Sequence, residues 1–200
     1  MNQIKCVCID IDGTLTDPYF FIPILNEITG KNLTKDDYTS INWLDTYGPD
    51  YSEMYKTFDD EYSYVYKTST IVEGAKNVIE NLKARGIEIY YVTARSKSIH
   101  DITAQWIADQ GLDPNRVHSL GGNHGKVETA KELGCDVFIE DDPNNAKNLA
   151  EAGYKVILMD TNYNKGVSGN NIIRVNGWYQ VKDIIINHDH PSNGWFAHGL

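Results

Sequence analysis

Ile4, Cys6, Val7, Cys8 and Ile9 make a short apolar run that stops at Asp10-Ile11-Asp12-Gly13-Thr14-Leu15-Thr16-Asp17. The run predicts a buried strand, after which Gly13 turns the backbone. The same texture returns from Ile71 onward. Ala75, Val78, Ile79 and Leu82 recur at helical spacing and predict a helix over 74–84, closed by Gly86. Residues 87–92 predict a strand ending at Thr93. Ile99, Ile102, Trp106 and Ile107 mark the inner face of a helix over 96–109, stopped by Gly111 and Pro114. A short strand over 117–120 leads through Gly121-Gly122-Asn123-His124-Gly125 into a helix over 126–133. A strand over 137–139 ends in Glu140-Asp141-Asp142, and a helix over 144–152 follows with Gly153 as its cap. Strands over 155–159 and 172–175 and a helix over 179–187 complete the pattern. Strands alternating with helices of this length predict an α/β fold with a parallel sheet and right-handed crossovers.

The segment 18–70 is different in kind. It has no β-branched strand-like run, and eight of the chain's thirteen tyrosines fall within it. Ile22, Leu25 and Ile28 predict a helix ending at Gly30, and Thr34-Lys35-Asp36-Asp37 reads as a helix start with acidic first-turn residues. The chain therefore divides into a core (1–17 and 71–187), a small helical insert (18–70) and a polar tail (188–200) that carries His188, His190 and His198. Tyrosines at helical spacing, such as Tyr51 and Tyr55, usually pack rather than recognise. Phe20, Phe21, Trp43 and Tyr47 are the candidates for stacking on a flat ligand ring.

With 200 residues, 41% of them hydrophobic and 23% charged, the chain can form one core plus a small insert. A net charge of −10 argues against an unassisted grip on long nucleic acid, which needs a basic surface. No apolar run is long enough to span a membrane, and the residues before the first strand lack a signal-peptide profile. Three cysteines on or beside expected core strands read as buried thiols, which suits a cytoplasmic protein. A metal pair at Cys6 and Cys8 is disfavoured, because no CxxC or histidine spacing supports it.

Four polar clusters follow predicted strands: Asp10 with Asp12, Thr93, Lys126, and Asp141 with Asp142. In a parallel sheet all strand C-termini share one edge, so the clusters should converge there. Together they offer carboxylates for a hard cation, a hydroxyl and an ammonium for a phosphate, and a carboxylate nucleophile. Each residue alone has a plainer reading. The first two acids could be turn residues, Thr93 a strand residue, Lys126 a surface lysine, and Asp141 and Asp142 helix caps. For the last pair the expected split is Asp141 on a metal and Asp142 capping. Arg95 could touch substrate or form a surface ion pair, and His124 reads as a solvated loop residue.

The clusters, taken in order, resemble the motifs of the haloacid dehalogenase-like phosphohydrolase superfamily. The match lies in Asp10-Ile11-Asp12-Gly13-Thr14, in Val92-Thr93, in Gly125-Lys126 and in Phe138-Ile139-Glu140-Asp141-Asp142. Within it the chain most resembles 5'(3')-deoxyribonucleotidase-like proteins, whose small helical cap directly follows the first motif. Thr93-Ala94-Arg95 departs from the Thr-Ser-Pro type of sequence found among them. The resemblance implies a Rossmann-like three-layer sandwich with a mostly parallel sheet and a cap at 18–70. It implies a Mg²⁺-dependent phosphomonoester hydrolase working through an aspartyl-phosphate on a small phosphorylated metabolite, a nucleoside monophosphate foremost. Asp10 would be the nucleophile and Asp12 the general acid and base. Thr93 and Lys126 would hold phosphate. Asp10, the backbone carbonyl of Asp12 and Asp141 would bind Mg²⁺, which prefers oxygen ligands. The alternatives are a phosphatase for other metabolites such as sugar phosphates, and a non-enzymatic phospho-receiver module. Oligomeric state stays open.

Overall fold

A computed structural model describes residues 3–186. The tail 188–200, with its three histidines, and Asn187 lie outside the described residues.

Six strands form one sheet: β1 (Cys6–Ile9), β2 (Glu88–Thr93), β3 (Val117–Ser119), β4 (Val137–Glu140), β5 (Lys155–Met159) and β6 (Ile172–Val175). Their order is β3-β2-β1-β4-β5-β6 and every pair is parallel. Alternation along β1 divides its side chains between two faces. Val7 and Ile9 pack with Ile79, Leu82, Trp106 and Trp178, from α4 (Ala75–Ala84), α5 (His100–Asp109) and α8 (Trp178–Ile186). Cys6 and Cys8 face Ala130, Ala146 and Leu149, from α6 (Lys126–Glu132) and α7 (Pro143–Glu151). Helices thus cover both faces, giving the expected three layers. All three thiols are free and buried.

β1 through β3 run outward to one side of the sheet and β4 through β6 to the other. The winding reverses between β1 and β4, so their C-terminal ends flank a crevice, the usual ligand site of such sheets.

Residues 18–70 hold three helices, α1 (Ile22–Thr29), α2 (Trp43–Tyr47) and α3 (Ser52–Glu61), besides single turns of 3₁₀ helix. They share their own apolar cluster around Phe21, Leu25, Tyr38, Trp43, Tyr47, Phe58 and Tyr66. The segment leaves and rejoins the core at one point. Thr16 and Ile71 form an antiparallel bridge, and Val72 N–H donates to the Leu15 carbonyl at 2.8 Å.

Two expected helix starts differ from the observed ones. Thr34 does not cap a helix. Asp37 accepts from both its backbone N–H and its hydroxyl at 2.8 Å, which closes a tight turn instead. The helix expected over 96–109 begins as one 3₁₀ turn (Lys97–Ile99) capped by Ser96, and α5 starts at His100.

Candidate active site

β1 ends at Ile9, and the next residue, Asp10, is only 6% exposed. Its backbone N–H donates to the Ile139 carbonyl of β4, which anchors the strand end against its neighbour. Lys126 opens α6 after Gly125, which sits at φ +91° in the left-handed region that glycine tolerates. The Lys126 ammonium reaches back to Asp10 Oδ1 at 2.5 Å and to Glu140 Oε1 at 2.7 Å. Glu140 is fully buried at the end of β4, and its other oxygen accepts the Asp141 N–H at 2.8 Å.

Oxygens of Asp10, Glu140 and Asp141 lie within 4.8 Å of one another. Three buried carboxylates therefore face one ammonium. Burial pushes the carboxyls of Asp10, Glu140 and Asp141 above the ordinary acid range, and crowding among the acids pushes further. Burial would pull Lys126 down. Asp10 and Glu140 more than offset that and hold it above the ordinary lysine value. A buried excess of negative charge with all-oxygen donors fits a hard divalent cation such as Mg²⁺.

Asp141 is held on both oxygens. Thr14 Oγ1 donates to Oδ1 at 3.0 Å and the Tyr163 hydroxyl to Oδ2 at 2.5 Å. Burial and the Asp141 charge raise Tyr163 well above an ordinary phenol, so it stays a neutral donor. Gly13, at φ +84°, lies against this carboxylate, and a Cβ there would collide with Asp141 and the Tyr163 hydroxyl. Asp142 turns away and caps α7, accepting from Asn144 N–H at 2.7 Å and Asn145 N–H at 2.9 Å. The expected capping role for Asp142 is therefore what the geometry gives.

Asp10, Asp12, Thr93, Lys126 and Asp141 all line one cavity of about 780 Å³ between the sheet edge and the helical segment. Thr93 Oγ1 accepts the Arg95 N–H at 3.2 Å, which leaves the hydroxyl proton for another acceptor. The Asp12 carboxylate does not join the three-acid cluster. It pairs with Arg95, through Nε at 2.8 Å and NH2 at 2.6 Å. Arg95 is only 4% exposed, so the expectation of a surface ion pair is corrected: the guanidinium is a buried partner of Asp12. His124 is exposed in its loop.

Of the four expected stacking residues, Phe21 and Trp43 line the cavity, together with Tyr38, Tyr55, Phe58 and Tyr66. Phe20 and Tyr47 do not line it. Tyr47 is 1% exposed inside the insert's own core, where its ring packs rather than recognises. Sequence reasoning assigned no role to Glu140, Thr14 or Tyr163. Glu140 stood only as the first of the three acids after the strand over 137–139.

A family model described as 5' nucleotidase, deoxy (pyrimidine), cytosolic type C protein matches residues 2–190. The chain is 35% identical over 189 residues to a nucleotidase of Clostridium acetobutylicum, covering 92% of this chain and 95% of that one. Its fold is similar to a phosphonoacetaldehyde hydrolase-like protein from Oleispira antarctica, with a TM-score of 0.66 at 13% identity, covering 99% of this chain and 96% of that one. It is also similar to a haloacid dehalogenase family hydrolase from Deinococcus radiodurans, solved with bound phosphate and sodium. There the TM-score is 0.64 at 14% identity, covering 92% and 96%.

Proposed function

Because the chain belongs to the family of 5' nucleotidases, deoxy (pyrimidine), cytosolic type C, within the haloacid dehalogenase superfamily, we propose that it hydrolyses nucleoside monophosphates in a Mg²⁺-dependent reaction through a phosphoaspartate at Asp10. The observation that carries this reading is the buried set of Asp10, Glu140 and Asp141 around Lys126, at the point where the sheet reverses its winding.

The steps follow from what the side chains can do. The Asp10 carboxylate attacks phosphorus, forming an acyl-phosphate bond as the ester P–O bond breaks. Asp12 gives its proton to the departing ribose oxygen. A water then attacks the phosphoaspartate, its proton passes to Asp12, and the P–O bond to Asp10 breaks to release phosphate. Lys126 orients Asp10 and offsets negative charge as it grows on the phosphoryl group. The Thr93 hydroxyl donates to a phosphoryl oxygen. Asp10, Asp141 and the backbone carbonyl of Asp12 would hold Mg²⁺, which would supply further charge neutralisation and orientation. The insert at 18–70 serves as a cap over the phosphate end. Its aromatic rings at Phe21, Trp43 and Tyr55 offer a wall for a nucleobase.

The test is phosphate release from a panel of nucleoside monophosphates and sugar phosphates, with Mg²⁺ and with EDTA, for the native protein and Asp10→Asn. The expected result is nucleotide turnover that EDTA and D10N both abolish. Turnover by D10N would overturn Asp10 as nucleophile. A preference for sugar phosphates over every nucleotide would overturn the substrate class.

A further inference from the structure

Arg95 forms the one ion pair described for Asp12, and the pair is built in an unusual way. The guanidinium meets the carboxylate as a two-pronged fork, Nε at 2.8 Å and NH2 at 2.6 Å. The third nitrogen, NH1, points to Thr103 Oγ1 at 3.4 Å on α5. Two aromatic rings lie close to the guanidinium as well. Arg95 Cζ lies 4.4 Å from the centre of the Tyr66 ring and 5.7 Å from that of Trp106. Tyr66 belongs to the helical insert and Trp106 to the core. The Tyr66 hydroxyl donates to Asp59 Oδ1 at 2.5 Å, and Asp59 Oδ2 accepts the Ser96 N–H at 3.0 Å. The arginine side chain is 1% exposed and that of Asp12 25% exposed.

The side-on fork is spent on Asp12, and the side chain is almost wholly buried, so little of it is left to face a phosphate in the cavity. A fork–fork arginine pair is the most directional charge contact a carboxylate can have. Holding a proton-transferring group at the right angle is worth as much as its chemistry, since small misplacements are costly.

We propose that Arg95 is the positioning residue of Asp12. Packed against a ring of the insert and a ring of the core, it holds the Asp12 carboxylate at the angle from which it serves the leaving oxygen and then the attacking water. The insert takes part in this: only with Tyr66 and Asp59 seated is the clamp complete. The inference rests on the proposed acid and base role of Asp12, and its test separates the two.

The measurement compares two substrates in the native protein, Arg95→Met, Arg95→Lys, Asp12→Asn and the double variant R95M/D12N. A nucleoside monophosphate leaves as an alkoxide and needs a proton. p-Nitrophenyl phosphate leaves as a stabilised phenolate and needs none. In R95M, kcat for the nucleotide should fall about a hundredfold, at the low end for a general acid, with KM little changed. The pre-steady-state burst of p-nitrophenolate should survive, one equivalent per site, followed by slow turnover because water activation still needs Asp12. R95K, with a single point of contact, should fall between native and R95M. The double variant should lose no more than D12N alone, because the two act as one unit.

Equal losses on both substrates, including loss of the burst, would overturn the positioning role and mark Arg95 as structural. A raised KM with kcat intact would overturn it in favour of substrate binding. If D12N shows the leaving-group selectivity and the folded R95M or R95K does not, Arg95 alone fails. Should D12N itself show no selectivity, the underlying role of Asp12 fails instead.

Discussion

Lys126 shows how burial turns one side chain into a fixed requirement. It is 3% exposed and bridges two buried acids. Removing one partner of a buried ionic group leaves uncompensated charge, which destabilises by about 3–5 kcal/mol. Lys126→Met is therefore expected to lose stability on that scale at neutral pH, and to lose turnover with it. The loss should shrink as the pH falls, because Asp10 and Glu140 can then take up protons and shed their charge. Chemical denaturation of native and variant protein at several pH values checks this. A K126M penalty that stays flat with pH would mean the two acids are not charged partners of the lysine.

Tyr163 tests support one step further from phosphate. Its hydroxyl holds Asp141 Oδ2 at 2.5 Å, and the Asn164 amide holds the Asp141 backbone carbonyl at 2.7 Å. Partners that orient a metal ligand are commonly worth 10–100-fold in metal affinity or activity, by rough precedent. Tyr163→Phe should raise the Mg²⁺ concentration needed for half-maximal activity by about that factor. It should leave kcat at saturating Mg²⁺ much closer to native. An unchanged Mg²⁺ dependence would show that Thr14 alone orients Asp141. Asp10, Asp12, Thr93 and Asp141 were legible in the chain because an apolar run marks where a strand ends, and Lys126 because it opens the helix after a glycine-rich loop. Tyr163 lies 22 residues beyond its partner, and Arg95 lies 83 beyond Asp12. Both contacts exist only because particular strands neighbour each other, which no local pattern reveals.

At the scale of elements, Asp141 and Asp142 divide the work of one strand–helix junction. Asp142 caps α7, with Pro143 in its first turn. Losing such a cap costs about 1 kcal/mol. Asp142→Ala should lower thermal stability by that much while keeping Mg²⁺-dependent turnover, whereas Asp141→Asn should abolish Mg²⁺ dependence and keep the helix. Calorimetry and a Mg²⁺ titration of both variants decide it, and the reverse pattern would exchange the two assignments. The alternation of strands and helices was readable because its periodicities are physical, two residues per strand repeat and 3.6 per helical turn. The helix starts at Thr34 and Ser96 were less so. Threonine, serine and aspartate close tight turns with the same hydrogen bonds that cap helices. Local sequence does not say which will win.

For the whole molecule, the three-layer arrangement could be foreseen, whereas the strand order and the contacts that tie the insert to the core could not. Two latches tie the insert across the cavity. Asp59 and Asp60 accept from Ser96 and Ser98 on one side, and Asn162 joins Tyr19 and the Lys35 carbonyl on the other. Among the described residues no helix is long and apolar enough to cross a membrane.

The acid cluster at the centre of this assembly gives the molecule a pH-dependent stability that a metal should reverse. Burial holds Asp10, Glu140 and Asp141 above the ordinary carboxylate range. A carboxyl raised on folding binds its proton more tightly in the native chain than in the unfolded one. Its contribution is complete below the unfolded value and is lost as pH climbs through the native one. The metal-free cluster should therefore destabilise the protein progressively across the pH window above the ordinary carboxylate range. Mg²⁺ competes with those protons, so it binds more weakly at the acidic end. The rise in melting temperature on adding Mg²⁺ should accordingly grow with pH across that window. At a free concentration a hundred times the Kd the gain is about 2.7 kcal/mol, a shift of several degrees for a chain of this size. Melting curves with Mg²⁺ and with EDTA at each pH provide the check. A metal-induced shift that is absent, or that shrinks as the pH rises, would mean that Asp10 and Asp141 do not bind the cation together. The nucleophile, the metal and Lys126 would then have to be assigned anew.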